Sequence, residues 1–276
     1  MYIETADFDY IREIVHQESG VIIREDMAYF VESRLASVAR LNAFNSINDL
    51  IISAKNGGYQ NEIKRLIIES MMIFESSFFR DKHYFETVRE ELIPSIISHS
   101  DNNNYELNIW SAACSRGQEI YSTAFMIDYF NVLPSTWKVN YMASDFSGEL
   151  LKKAKEGVFN QFEINRGLSG KLIEKYFIAH DGSDLQVNPS IRSRIKFVKF
   201  NLFENGASIP QMDIIFLRNV MIYFNDKDKN KVLENVSKRL KPNGFLILGS
   251  TESLVNNILF EPVHFQKAII YKLKSK

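Results

Sequence analysis

The sequence predicts an α/β protein, a doubly wound and mostly parallel sheet preceded by an all-α region. Three observations carry this. From Tyr105 onward, short apolar runs of strand type alternate with helix-periodic segments. The first of these strands ends in small residues, Ser111-Ala112-Ala113-Cys114-Ser115, followed by Gly117. Residues 1–80 instead show the three-to-four-residue apolar spacing of helices.

In chain order, Phe8, Ile11, Ile14 and Val15 define the first helix, with Asp7 expected as its N-cap and Gly20 as its stop. A second helix is expected over Asp26 to Leu41, with Tyr29, Phe30, Leu35 and Val38 facing the core. Two more are expected over Ser46 to Ala54 and Asn61 to Met72, parted by Asn56-Gly57-Gly58-Tyr59. The segment Phe74-Glu75-Ser76-Ser77-Phe78-Phe79-Arg80-Asp81 has neither period. His83 to Ser98 reads as a helix, and Asp101 to Asn104 as a polar loop.

Strands are expected at 106–113, 137–144, 195–200, 212–217 and 244–249, with helices at 118–131, 147–156 and 226–240. Lys241-Pro242-Asn243-Gly244 reads as a turn before the last of these strands. A final strand near Ala268 to Leu273 is expected to pair antiparallel. Between Val158 and Arg194 the alternation breaks. That stretch reads as an insertion holding one short helix, Ser169 to Phe177, and a hairpin.

Composition narrows the function classes. A net charge of −1 with 24% charged residues argues against a nucleic-acid or anionic-membrane surface. The charge is uneven: residues 1–80 carry −4 and the remainder +3. The single cysteine, Cys114, excludes an internal disulfide and fits a reducing, cytoplasmic location. The N-terminus has no signal-peptide pattern, and no apolar run reaches spanning length, so membrane insertion is not expected. Five scattered histidines give no metal-ligand spacing.

The candidate site lies at strand ends. Small residues at a strand-to-helix turn, Ala113 among them, let a ligand approach the backbone, although tight strand–helix packing explains such a turn equally well. Glu119 follows as the helix begins. Asp145 ends the next strand, where a carboxylate can accept hydrogen bonds from both ribose hydroxyls of a nucleoside. Neither G-x-G-x-x-G nor G-x-x-x-x-G-K-[ST] occurs, which removes the usual support for a dinucleotide or nucleoside triphosphate. Asn201-Leu202 and Arg218-Asn219 follow two further strands. An asparagine there either reads a ligand's polar edge or, more commonly, bonds its own turn. Tyr223 would bring a hydroxyl near the sheet's mouth. Arg80 is either a surface arginine or, anchored by Phe78 and Phe79, a ligand-binding one. Cys114 reads as a buried small residue, and Glu252 as a cap partner of Ser250.

Four stretches resemble the CheR family of chemotaxis receptor methyltransferases. Ser76-Ser77-Phe78-Phe79-Arg80-Asp81 is similar to its T-x-F-F-R-D segment, and Trp110 to Ser122 to W-S-A-A-x-S-x-G-E-E-P-Y-S. Arg218 to Phe224 matches R-N-V-x-I-Y-F, and Gly244 to Leu254 is loosely similar to G-x-L-x-x-G-x-S-E. The resemblance implies a class I S-adenosylmethionine-dependent methyltransferase fold with an inserted β-subdomain and a helical N-terminal domain. It implies domains at 1–73 (helical), 74–104 (linker) and 105–276 (methyltransferase), with 158–194 as the insertion. The implied cofactor is S-adenosyl-L-methionine, its product S-adenosyl-L-homocysteine, and the substrates glutamate side chains on the cytoplasmic domain of chemoreceptors. A monomer is expected.

By the same resemblance, Ser76 and Arg80 contact the cofactor from the linker, Glu119 meets its amino group and Asp145 its ribose. Ala113 lies in the binding turn. Asn201, Leu202, Arg218 and Asn219 surround the adenine and methionine portions. Arg80 and Tyr223 flank the methyl group and the incoming carboxylate. The chain departs from the pattern at Phe74, an asparagine in the family, and at Ser76, Gln118 and Ile120. Met27 and Val38 stand where basic residues are usual, and the stretch around His180 to Asp184 is short, as in members that dock without a receptor pentapeptide. Alternative readings are a methyltransferase acting on another carboxylate or small molecule, and a catalytically weak cofactor-binding module.

Overall fold

The first helix, α1 (Thr5–Ser19), buries Phe8, Ile11, Ile14 and Val15 along one stripe. Its N-cap is Glu4 with no side-chain cap. Asp7 lies one turn further in, at the positive end of the helix, and pairs with Lys55 at 2.6 Å. The Gly20 N–H closes the helix on the His16 carbonyl. The structure is a computed structural model that describes residues 3–57, 62–72, 75–99 and 105–274.

The chain divides into two units, Met1–Phe74 with Tyr223–Lys229, and Glu75–Ile222 with Asn230–Lys276. In the first, a 3-10 turn (Glu25–Met27) leads into α2 (Ala28–Leu41). Val31, Leu35 and Val38 are buried there, but Tyr29 is 84% exposed. Two residues before Val31, Tyr29 falls on the opposite helix face, which corrects its expected core position. Helix α3 (Ile47–Asn56) starts where the Ser46 hydroxyl accepts the Asp49 N–H at 3.0 Å. With α4 (Glu62–Ser70) it packs against α1 and α2. Within this unit the Ile22 N–H donates to the Tyr223 carbonyl at 3.0 Å, and His16 meets Asp228 at 2.8 Å.

The second unit opens with α5 (Lys82–Thr87), a π-helical stretch (Val88–Leu92) and α6 (Ile93–Ser98). Pro94 has no N–H to return to the preceding turn, and the wider stretch lies just before it. The elements that follow are β1 (Glu106–Ala112), α7 (Gln118–Tyr129), β2 (Lys138–Asp145) and α8 (Gly148–Glu156). Next come β3 (Val158–Phe159), α9 (Gln161–Asn165), α10 (Gly170–Tyr176), β4 (Phe177–Ala179), β5 (Leu185–Val187) and α11 (Pro189–Arg192). The chain then forms β6 (Ile195–Lys199), β7 (Met212–Leu217), a 3-10 turn (Met221–Tyr223), α12 (Asp226–Ser237), β8 (Leu240–Leu248), β9 (Phe260–His264) and β10 (Ile269–Leu273).

Seven strands form one sheet in the order β6-β2-β1-β7-β8-β10-β9. The first five are parallel, and β10 runs antiparallel to both neighbours. Every residue of β7 is buried, as expected of a strand covered on both faces. Strands β3-β5-β4 make a separate antiparallel sheet within the predicted insertion.

Two details differ from the sequence reading. Lys241 to Gly244 is not a turn ahead of a strand but an irregularity inside β8, whose register jumps between Leu240 opposite Met212 and Phe245 opposite Ile214. Lys241 then reaches Asp213 at 2.8 Å. Strand β9 was not expected. Its Pro262 lowers strand propensity, and an edge position is where a strand tolerates proline. Among the described residues no helix is long and apolar enough to cross a membrane.

Candidate functional site

The sheet reverses direction of winding at β1. β2 and β6 build outward on one side, β7 and β8 on the other. Ligands of open α/β sheets bind at the carboxyl ends of strands beside such a reversal. The loop after β1 is contorted, with left-handed φ at Ala113 (61°), Ser115 (52°) and Gly117 (85°). Two long-range ties hold it. The Cys114 N–H donates to the Ser144 carbonyl at 2.8 Å, and the Ser115 N–H to Asp145 Oδ2 at 2.8 Å. Asp145 Oδ1 accepts the Ser147 N–H at 2.9 Å. Asp145 therefore shapes this loop itself, and each carboxylate oxygen can accept more than one hydrogen bond. Cys114 is fully buried, and burial pushes its thiol well above the usual range, so it is a packing residue and not a nucleophile.

Glu119, in the first turn of α7, accepts the Ser111 hydroxyl at 2.7 Å through one oxygen and Arg218 Nη1 at 2.9 Å through the other. Arg218 follows β7. Its second terminal nitrogen donates to Asp81 Oδ2 at 2.7 Å and to the Arg80 carbonyl at 2.9 Å. The Arg218 guanidinium also lies 5.0 Å from the Tyr84 ring centre. One arginine between two carboxylates leaves a formal negative charge, suited to a cationic ligand group.

Arg80 sits in a segment held from several sides. Phe78 is buried against Phe125, Phe159 and Phe177. The Phe79 N–H donates to the Ser122 hydroxyl at 2.9 Å. Phe79 and Asp81 both adopt left-handed φ, 48° and 55°. Such conformations cost about 1–3 kcal/mol each and persist only where surrounding contacts enforce them. The half-buried Arg80 donates from Nη1 to the Glu75 carbonyl at 2.8 Å. Ser76, half-buried, lies in the same segment. Phe74 falls outside the described residues.

Asn201 Oδ1 accepts the Phe203 N–H at 3.1 Å, the self-bonded turn that its residue type favours. Leu202 is buried, and its carbonyl accepts from Asn235 at 3.1 Å. Asn219 adopts φ 57°, and its N–H donates to Glu252 Oε2 at 2.7 Å. The Asn219 amide lies so close to Gly249 that a Cβ there would stand 2.6 Å from its Nδ2, so any larger residue would have to displace that side chain. Tyr223 closes the 3-10 turn and belongs with the first unit.

Two residues of this site are missed or misread in the sequence. Asp81 was noted only within a motif, and it pairs with Arg218. Glu252 is not a partner of Ser250. Its carboxylate accepts the N–H groups of Asn219, Val220, Met221 and Gly249, at 2.7–3.0 Å, and so caps the 3-10 turn. An acidic residue just past a glycine-ended strand was the available signal. The Ser115 hydroxyl is buried without a protein partner, as is the Gln118 side-chain oxygen. Buried polar atoms of this kind fit a polar ligand beside them. Among the described residues no His/Cys/Asp/Glu group could hold a metal ion.

Residues 75–269 match the family described as CheR methyltransferase, SAM binding domain. The chain is 35% identical to chemotaxis protein methyltransferase 1 of Pseudomonas aeruginosa, over 98% of this chain and 98% of that protein. It is 34% identical to chemotaxis protein methyltransferase Cher2 of Pseudomonas putida, over 97% and 98%. With a chemotaxis protein methyltransferase of Vibrio anguillarum it shares 32% identity, over 98% and 97%. The matched domain binds S-adenosylmethionine. The residues present fit that cofactor: a negative cluster for its cations, an aspartate at the second strand end, and unpartnered buried oxygens along the loop.

Proposed function

The chain belongs to the CheR methyltransferase family, and on that basis we propose that it methylates glutamate side chains of chemoreceptors in chemotaxis, as a protein-glutamate O-methyltransferase. The observation that carries the reading is the Asp81–Arg218–Glu119 cluster, which links the Arg80 segment to the acidic residue of α7. In this reading Asp145 takes the ribose, and Glu119 the amino group. Ser76, Arg80, Ala113, Asn201, Leu202, Arg218 and Asn219 complete the cofactor's surroundings. Arg80 and Tyr223 are the residues assigned to the transfer.

When bound, the cofactor supplies a methyl group activated by its sulfonium. A substrate glutamate has a pKa of about 4.3, so near neutral pH its carboxylate oxygen is already the nucleophile. The protein needs no general base. Its task is alignment, and holding two reactants in line is itself a large rate factor. Arg80 holds the incoming carboxylate by charge-assisted hydrogen bonds. The partner is the cytoplasmic domain of a chemoreceptor.

The test is incubation with radiolabelled S-adenosylmethionine and receptor-containing membranes from the same cell. Base-labile label on the receptor is the expected result, because a carboxyl methyl ester hydrolyses in base. Label that resists base, or none on the receptor, overturns the proposal.

A further inference from the structure

The inserted sheet region touches both polypeptide segments of the cofactor site, and the contacts converge on one short helix. On one side is Arg116, in the loop after β1. It pairs with Glu163 of α9, donates to the Val158 carbonyl of β3 at 3.2 Å, and lies 5.4 Å from the Phe159 ring centre. On the other side is Arg166, directly after α9, which donates to Glu75 at 2.8 Å. The Glu75 carbonyl is the acceptor for Arg80. Arg166 holds the Glu75 carboxyl below its ordinary range, with Arg80 and the Arg166 charge adding to this.

Two packing contacts reinforce the grip. Phe159 packs edge-on against Phe78 at 4.9 Å. Gly167 approaches the Phe78 backbone so closely that a Cβ would stand 2.1 Å from its carbonyl oxygen. The two gripped segments are also the contorted ones, with left-handed φ at Ala113, Ser115, Phe79 and Asp81. Unfavoured backbone of this kind relaxes unless neighbours enforce it.

We propose that Glu163 and Arg166 are positioning residues, and that α9 of the insertion is a strut between the two halves of the cofactor site. Glu163 fixes the 113–117 loop through Arg116. Arg166 fixes the orientation of Arg80 through Glu75. The insertion thereby sets cofactor affinity and the alignment of Arg80, which holds the incoming carboxylate. The second effect rests on the function proposed above, and the first rests on cofactor binding alone.

The variants are chosen to spare the fold. Glu163 also forms a capping box with Asn160, and glutamine preserves such a box. Glu163→Gln therefore weakens the Arg116 pair with little cost to α9. Calorimetry with S-adenosylhomocysteine is expected to show about tenfold weaker binding for Glu163→Gln and for Arg116→Gln, a loss of about 1.4 kcal/mol. The double variant should be no worse than Arg116→Gln alone, because both changes remove the same Arg116–Glu163 pair. Arg166→Glu should leave that affinity within about twofold, but speed deuterium exchange over residues 76–81 and slow single-turnover methyl transfer about tenfold. Adding Glu75→Arg should restore both. Unchanged affinity in Glu163→Gln and Arg116→Gln, or unchanged exchange in Arg166→Glu, overturns the strut even if thermal midpoints fall. If the wild type methylates no receptor, the proposed function fails, while calorimetry and exchange still decide this proposal.

Discussion

Arg218 and Glu119 meet at 2.9 Å, with the arginine side chain 2% exposed and the glutamate 15%. The same guanidinium reaches Asp81, so one cation joins the end of β7, the start of α7 and the Arg80 segment. Its planar fork serves partners in several directions, which a lysine cannot do. Removing one partner of a buried ion pair costs about 3–5 kcal/mol, because the remaining charge is left uncompensated. Asp81 is partly exposed, so Arg218→Met is expected at the lower end, about 3 kcal/mol. Urea denaturation measures this, and a loss under about 1 kcal/mol would show that water already satisfies both carboxylates.

Asp145→Ala should weaken S-adenosylhomocysteine binding more than a pure contact residue would. It removes the ribose acceptor, with each charge-assisted hydrogen bond worth about 1.5–3 kcal/mol. It also frees the N–H groups of Ser115 and Ser147, which shape the loop. Asp145→Asn keeps one acceptor oxygen and should fall between. Calorimetry giving wild-type affinity for Asp145→Ala would remove the ribose assignment.

Arg80→Ala is expected to slow transfer far more than it weakens cofactor binding. An interaction used in the transition state shows in the rate and not in ground-state affinity. Lysine should rescue poorly. Single-turnover transfer at saturating cofactor, on wild type and both variants, is the measurement. Equal rates would leave Arg80 as an anchor of the Glu75 carbonyl only.

Glu252→Gln tests the cap on the 3-10 turn Met221–Tyr223. Four backbone N–H groups point at this carboxylate. An amide offers one oxygen and turns its own N–H groups toward donors. Leaving buried donors unsatisfied costs about 1–3 kcal/mol. The expected fall in Tm is about 2–4 °C for each kcal/mol in a chain of this size class. An unchanged Tm would mean that water replaces the missing oxygen.

Asp128 supplies a pH test away from the site. Burial pushes its carboxyl up, but the Tyr176 hydroxyl at 2.8 Å and Lys175 at 3.0 Å outweigh this and hold it below its ordinary value. A lowered folded-state pKa stabilises above the unfolded value of about 3.9, and that contribution disappears as pH falls through the folded value. Tyr176→Phe should cost about 1 kcal/mol at neutral pH and flatten the fall in stability below about pH 4. Urea midpoints between pH 2.5 and 7 decide it, and parallel curves for the two proteins would exclude the Tyr176 contribution.

What the sequence determined by itself was local. Apolar spacing marked α1 and α7. The small residues after β1, and an aspartate ending β2, marked the candidate site because both lie within a few residues of their own strand. The Asn201 turn was legible for the same reason: the side chain bonds backbone two residues on. Only the tertiary structure decided the rest. Tyr29 points away from the core because the buried stripe of α2 is set by its neighbours α3 and α4. Pro262 sits in a strand because strand order puts β9 at an edge. Arg218 lies 99 residues from Glu119 and 137 from Asp81, and Glu252 caps a turn about thirty residues earlier. A residue's type limits which partners it can take. Which partner it meets depends on which strands lie side by side, and no local window of sequence contains that information.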